Sequence, residues 1–222
     1  MKTILIPCLS LFLLAPLVRA DDINERIADA IKMLEKKQGS LSPIPQELLT
    51  NARGVAFATI EKGGLGIGGM GGEGIVFLHK PLTPPPSWSA PSAFNISGGS
   101  LGAQIGFSEI RYIFILNTDA AVRQFSGEGK VKWDATAMGT AGTDTAVESE
   151  STRELSQQAV IVYRDSGGIF GGATLGGSTI ETKNSVNQMA YGPNIFVRDI
   201  FEGRIPPPPA AERLYRLLNG ER

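Results

Sequence analysis

The sequence predicts an α+β domain: an antiparallel, glycine-rich sheet, curled into a barrel-like or sandwich core, with helices from both chain ends packed on it. Three observations predict this. Near each end of the chain, apolar residues recur three and four apart, the spacing of one helix face. Between residues 54 and 182, short runs of Val, Ile, Phe, Tyr and Thr alternate with glycines, the texture of strands and tight turns. All 27 glycines follow residue 20, about twice the usual share of roughly 7%. Such an excess serves backbone geometry, in turns and close strand crossings. Most links between strands are too short for parallel crossovers, which favours antiparallel pairing.

Residues 1–20 are a different material: Lys2, an apolar run from Ile4 to Leu14, and a small-residue end at Val18-Arg19-Ala20. They read as a secretory signal peptide cut after Ala20, leaving a single domain over residues 21–222. That cut would remove Cys8, so the remaining chain has no disulfide, thiol nucleophile or cysteine-held metal. The first helix is expected over residues 22–37, where Ile23, Ile27, Ala30, Ile31 and Leu34 share a stripe, acids open the helix and Lys36 and Lys37 close it. The stripe faces either the core or a membrane surface. A short helix follows from Gln46 to Arg53. Strands are expected at 55–61, 74–79, 93–97, 102–107, 112–117, 131–137, 159–164 and 168–180, with one helix at 118–125 capped by Asn117 or Thr118. Helices return at 185–191, 195–201 and 210–218, and Leu214, Leu217 and Leu218 form the last buried stripe. The sheet core thus spans 54–182 and the closing helices 185–219. Two stretches, 57–69 and 161–172, share an order of apolar strand, charged pair, Gly-Gly, large apolar residue and further glycines, which predicts two equivalent hairpins in one sheet.

The charge balance, 21 Lys and Arg against 22 Asp and Glu, argues against a nucleic-acid partner, which calls for a basic face. With one histidine, His79, no multi-histidine metal site is possible, and no calcium-loop motif is present. Gly66, Gly68 and Gly71 match the dinucleotide fingerprint G-x-G-x-x-G, but a strand follows where the motif needs a helix. Gly98-Gly99-Ser100-Leu101-Gly102 matches the hydrolase elbow G-x-S-x-G, but His79 precedes Ser100 and no histidine follows it. Neither motif yields an assembled site, so no cofactor, no metal and no catalytic residues are expected. Asn95-Ile96-Ser97 is a glycosylation sequon placed in a strand. Pro206 to Pro209 either presents a PxxP ligand or forms a rigid lead-in to the last helix.

Several pieces of the chain resemble the SYLF-domain family, a lipid-binding and actin-regulator module found alone in bacteria and fused to SH3 or FYVE domains in eukaryotes. They are Ala52-Arg53-Gly54-Val55-Ala56-Phe57, Lys62-Gly63-Gly64 with Gly72-Glu73-Gly74-Ile75-Val76, Trp88-Ser89-Ala90-Pro91-Ser92-Ala93 and Gly102-Ala103-Gln104-Ile105-Gly106. Phe114 to Thr118, Gly168-Ile169-Phe170-Gly171-Gly172, Tyr191-Gly192, Ile200 and Gly203 continue the match, which covers about residues 28–219. The resemblance is to a bacterial-type, secreted, stand-alone member. It implies a non-enzymatic module that binds anionic or phosphoinositide lipid, with Ile23, Arg26, Ile27, Ile31, Lys32, Leu34, Lys36 and Lys37 as its lipid-facing residues. The chain departs from a strongly basic pattern: over 21–37 four bases meet five acids, which weakens attraction to an anionic membrane. The partner expected is a phospholipid membrane surface. A protein partner in the cell envelope is the alternative. The location expected is periplasmic or extracellular, peripheral on a membrane.

Overall fold

The computed structural model describes residues 22–65, 67–80, 87–100, 105–127, 130–133, 152–165, 169–170 and 177–221. The expected signal peptide, the Thr83 to Pro86 connector and most of the expected strand extensions after 133 and 170 lie outside them. Helix α1 (Ile23–Gln38) starts where Asp22 accepts a hydrogen bond from the Asn24 amide and ends at Gly39, with Lys36 and Lys37 in its last turn. Helix α2 (Gln46–Asn51) follows and leads into strands β1 (Gly54–Leu65) and β2 (Ile67–Lys80). Next come β3 (Ser87–Trp88), β4 (Ser92–Ser100), β5 (Ile105–Leu116), α3 (Asp119–Ser126) and β6 (Lys130–Lys132). The chain continues through α4 (Thr152–Leu155), β7 (Val160–Arg164), β8 (Ile169–Phe170) and β9 (Thr179–Thr182). It closes with α5 (Asn184–Tyr191), α6 (Val197–Phe201), a 3-10 turn (Pro209–Ala211) and α7 (Glu212–Leu218).

The strands form one antiparallel sheet in the order β6-β9-β4-β2-β1-β5-β7-β8, with β3 also paired to β2. The two stretches of similar sequence are hairpins of this sheet, β1–β2 and β7–β8. The glycine-rich tract read as a turn between two short strands is itself strand: pairing runs on through Gly63↔Gly69 and Gly64↔Gly68 to Leu65↔Ile67. A ladder needs only backbone donors and acceptors, so the loss of side chains does not end it. Likewise the strands expected at 102–107 and 112–117 are one where they are described, from Ile105 to Leu116. Ser108 to Arg111, exposed at Ser108 and Glu109 and half-buried at Ile110 and Arg111, carries β5 across a stretch that resembles a break only in composition.

Alternation along the strands sends side chains to two separate cores. Val55, Phe57, Ile75, Phe77, Ile113, Ile115, Ile161 and Tyr163 face α1, α2 and α7 and pack on Ile27, Leu34, Leu48, Leu214 and Leu218. Ala56, Ala58, Val76, Phe94, Phe114, Val162 and Ile180 face the other way, beneath Phe125 of α3 and Trp133. The second face is concave. Trp133 continues the ladder of β6 through its amide bond to the Ser178 carbonyl, and β6 lies five places from β5. In a flat sheet that is about 24 Å, yet the Trp133 ring is 5.8 Å from the ring of Phe114 on β5. Phe125 also touches both Phe94 and Phe114, at 5.2 and 5.3 Å. The sheet therefore curls around its aromatic core, while the terminal helices cover its outer face.

Candidate functional site

The first helix carries all eight residues that the sequence nominated, and packing divides them. Ile23, Ile27 and Leu34 are buried against the outer sheet face, and Ile31 is half-buried beside them. Arg26, on the same face, is 5% exposed. Its guanidinium donates to the carbonyls of Gly74 (2.9 Å) and Phe94 (2.7 Å) and to Asn95 Oδ1 (3.1 Å), with Glu73 at 3.5 Å. An arginine within an apolar stripe is the signal in the sequence for such a clamp; its partners, on two distant strands, carry no signal. Lys37 is buried too, its ammonium 5.3 Å from the centre of the Tyr163 ring, and burial lowers its pKa.

Lys32 and Lys36 remain exposed. Lys32 pairs with Asp29 at 2.9 Å and Lys36 with the buried carboxylate of Asp165 at 3.1 Å. The exposed Lys32 pair contributes about 0–1 kcal/mol, so its ammonium can exchange Asp29 for an external anion. Lys36 is itself exposed but neutralises a buried carboxylate, whose charge would be left unpaired if Lys36 let go. Beyond the helix end, Leu41 stands fully exposed. The accessible set is therefore Ile31, Lys32, Lys36 and Leu41, whereas a role in lipid contact for Ile23, Arg26, Ile27, Leu34 or Lys37 requires α1 to leave the sheet. No described helix is long and apolar enough to cross a membrane.

The run Trp88-Ser89-Ala90-Pro91-Ser92 is an anchor for the C-terminal helices. Trp88 Nε1 donates to Asn219, Tyr215 to the Ser89 carbonyl, and Tyr191 to the Pro91 carbonyl. Asn187 is buried, accepting from the Ala93 amide and donating to Ser92 Oγ. Burial raises the pKa of Tyr191 and Tyr215, so both phenols stay donors.

Beside this anchor, at the start of β1, a cleft of about 550 Å³ opens, lined by Asn51, Arg53, His79, Asn117, Asp119 and Val122 among others. Arg53 spans it to Asp119 at 2.9 Å. The His79 ring stacks on Trp88 at 4.7 Å; burial lowers its pKa, opposed by a hydrogen bond to the Ala52 carbonyl. The neutral ring is thus favoured in the folded chain, whereas an unfolded histidine titrates near about 6.5. The unfolded state takes up the proton first, so stability present above about pH 6.5 is lost as pH falls toward the folded pKa. His79→Phe is expected to flatten the decline in melting temperature between pH 7 and pH 5.5; parallel profiles for the two proteins would refute this. Pairing of Gly68 with Ser100 places Ser100 level with a point eleven residues along β2 from His79, about 35 Å at strand spacing. The two halves of the hydrolase motif therefore do not meet. Gly68 and Gly71 of the dinucleotide motif lie within β2, so the chain directly after them is strand, not helix.

Comparison with known proteins adds what geometry alone does not. Residues 97–221 match the family described as Ysc84, Las17-binding protein actin regulator. The chain is 34% identical over 182 residues to LAS seventeen-binding protein 3 of Saccharomyces cerevisiae, covering 81% of this chain and 39% of the relative. It is 33% identical over 189 residues to the SH3 domain-containing YSC84-like protein 1 of Mus musculus, covering 84% of this chain and 54% of the relative. The human protein of that name is 31% identical over 186 residues. The chain spans about two fifths of the yeast relative's length and about half of the mammalian ones.

Proposed function

Because the chain belongs to the Ysc84, or SYLF-domain, family of actin regulators, we propose that it is a non-enzymatic module that binds an anionic phospholipid surface. The observation that carries this is the exposed end of α1: Lys32 and Lys36 on successive turns, with Leu41 fully exposed beyond them. A cation that can re-pair with phosphate, Lys32, a second exposed ammonium beside it, Lys36, and one apolar side chain that can enter the headgroup boundary are the components of interfacial binding. Each basic residue near a charged surface adds about 1 kcal/mol, so two of them support weak, salt-sensitive attachment. The export signal read at residues 1–20 would place that surface in the cell envelope.

Co-sedimentation of residues 21–222 with vesicles of graded phosphatidylserine content tests the reading. Binding is expected to rise with anionic fraction and fall with salt. Lys32→Glu with Lys36→Glu is expected to lower it at least tenfold, and Leu41→Asp to lower it with no change in melting temperature. Binding that ignores anionic content, or is absent at low salt, would overturn the proposal.

A protein-interaction role is the second reading. It is favoured by relatives whose name states that they bind Las17. It predicts one stoichiometric protein partner from membrane-free extract and no association with vesicles.

A further inference from the structure

Four consecutive prolines, Pro206 to Pro209, join α6 to α7. Each fixes its own φ near about −65° and pushes the residue before it out of the helical region. Ile205, Pro206, Pro207 and Pro208 all precede a proline, so the tract is driven into the polyproline II form. Pro208, at φ −67° and ψ 148°, has its dihedrals. That helix repeats every three residues, so its side chains form three ridges. Burial follows the same period. Ile205 and Pro208 share one ridge and are half-buried, whereas Pro206 and Pro209 share a second, and Arg204 and Pro207 a third, all exposed.

The tract is also held at both ends. Before it, Gly203 turns the chain at φ +79°, the Arg204 amide donates to the Asp199 carbonyl, and the Arg204 guanidinium pairs with Asp199 (2.7 Å) and Glu202. After it, the Ala211 amide donates to the Pro208 carbonyl, and Ala211, Leu214 and Leu218 are buried in the core under the helices. A mere lead-in to α7 would need only its first proline position filled. Here one ridge is spent on the domain, and the two that remain carry a proline pair three residues apart with a proline between them.

We infer that this tract is a docking site for a polyproline-reading domain of another protein, one with an aromatic-lined groove of the SH3, WW or EVH1 kind. Such grooves accept two ridges of a polyproline helix and leave the third outside. The form is already set by the folded chain, so little conformational entropy is lost on binding.

The experiment uses the folded chain, residues 21–222, in biolayer interferometry against a panel of purified SH3, WW and EVH1 domains. At least one class is expected to bind with a dissociation constant below about 100 μM. Pro206→Ala with Pro209→Ala is expected to weaken it at least tenfold, and so is Pro207→Gln, which lies outside α7 and the turn before it. Vesicle binding by either variant is expected to stay unchanged, which separates this site from the lipid surface on α1. Absence of binding by all three classes, or binding that survives both variants with the circular-dichroism melt intact, would overturn the inference.

Discussion

Arg26→Ala is expected to lower the free energy of unfolding by about 3 kcal/mol, read from urea denaturation at neutral pH, against less than about 0.5 kcal/mol for Lys32→Ala. The difference lies in what each cation touches. Lys32 meets one exposed carboxylate on its own helix. Arg26 ties that helix to β2 and β4, donating to the carbonyls of a register pair, Gly74 and Phe94, and to Asn95. Hydrogen bonds from a charged donor are worth about 1.5–3 kcal/mol each, and truncation also removes the buried packing of the side-chain stem. Arg26→Lys should recover little, since one ammonium cannot reproduce the fork that reaches both strands. A loss below about 1 kcal/mol for the alanine variant would mean that the apolar stripe alone docks the helix. The same variant bears on function. Were lipid to be met by the buried stripe of α1, loosening this clamp would increase vesicle binding; were it met by Lys32, Lys36 and Leu41, binding would not change.

What could be read from the sequence follows from which interactions are local. Helix α1 was legible from spacing and terminal charge because both act within a few residues, and the start of α3 was legible for the same reason, though Asn117 and Thr118 stayed alternatives for the cap that Thr118 supplies. The antiparallel, curled, glycine-rich sheet was legible as a class. Its strand lengths were not, because a ladder of opposed glycines such as Gly63 and Gly69 is held by partners that composition does not reveal. At the candidate site, the charge of α1 was legible but its accessibility was not. Lys36 and Lys37 are neighbours with equal charge, yet Lys36 reaches out to Asp165 while Lys37 is buried over Tyr163. Only the packing direction of the helix separates them. Leu41 sits in a loop with no periodicity, and its exposure has no counterpart in the sequence pattern.

Gly74→Val is expected to abolish the folded state, and Gly74→Ala to cost about 3 kcal/mol or more, while Gly69→Ala on the same strand changes stability by less than about 1 kcal/mol. Glycines in β2 serve two different purposes. A Cβ at Gly74 would lie 2.2 Å from the Phe57 carbonyl oxygen and 2.5 Å from the tip of the Phe94 ring. One obstacle is backbone in the neighbouring strand, and the other is an aromatic ring wedged against Phe125, so neither can yield cheaply. The missing side chain is what lets Phe94 lie across β2 and enter the concave core, where Phe125 joins it to Phe114 and Trp133. Gly74 also offers its carbonyl to Arg26, so one small residue seats the aromatic core on one face of the sheet and the first helix on the other. Gly69 has no atom within 4 Å of the same construction, and a methyl group there meets only open space. Equal melting temperatures for the two alanine variants would show that the sheet repacks around Gly74, and that its curl does not depend on Phe94 lying flat.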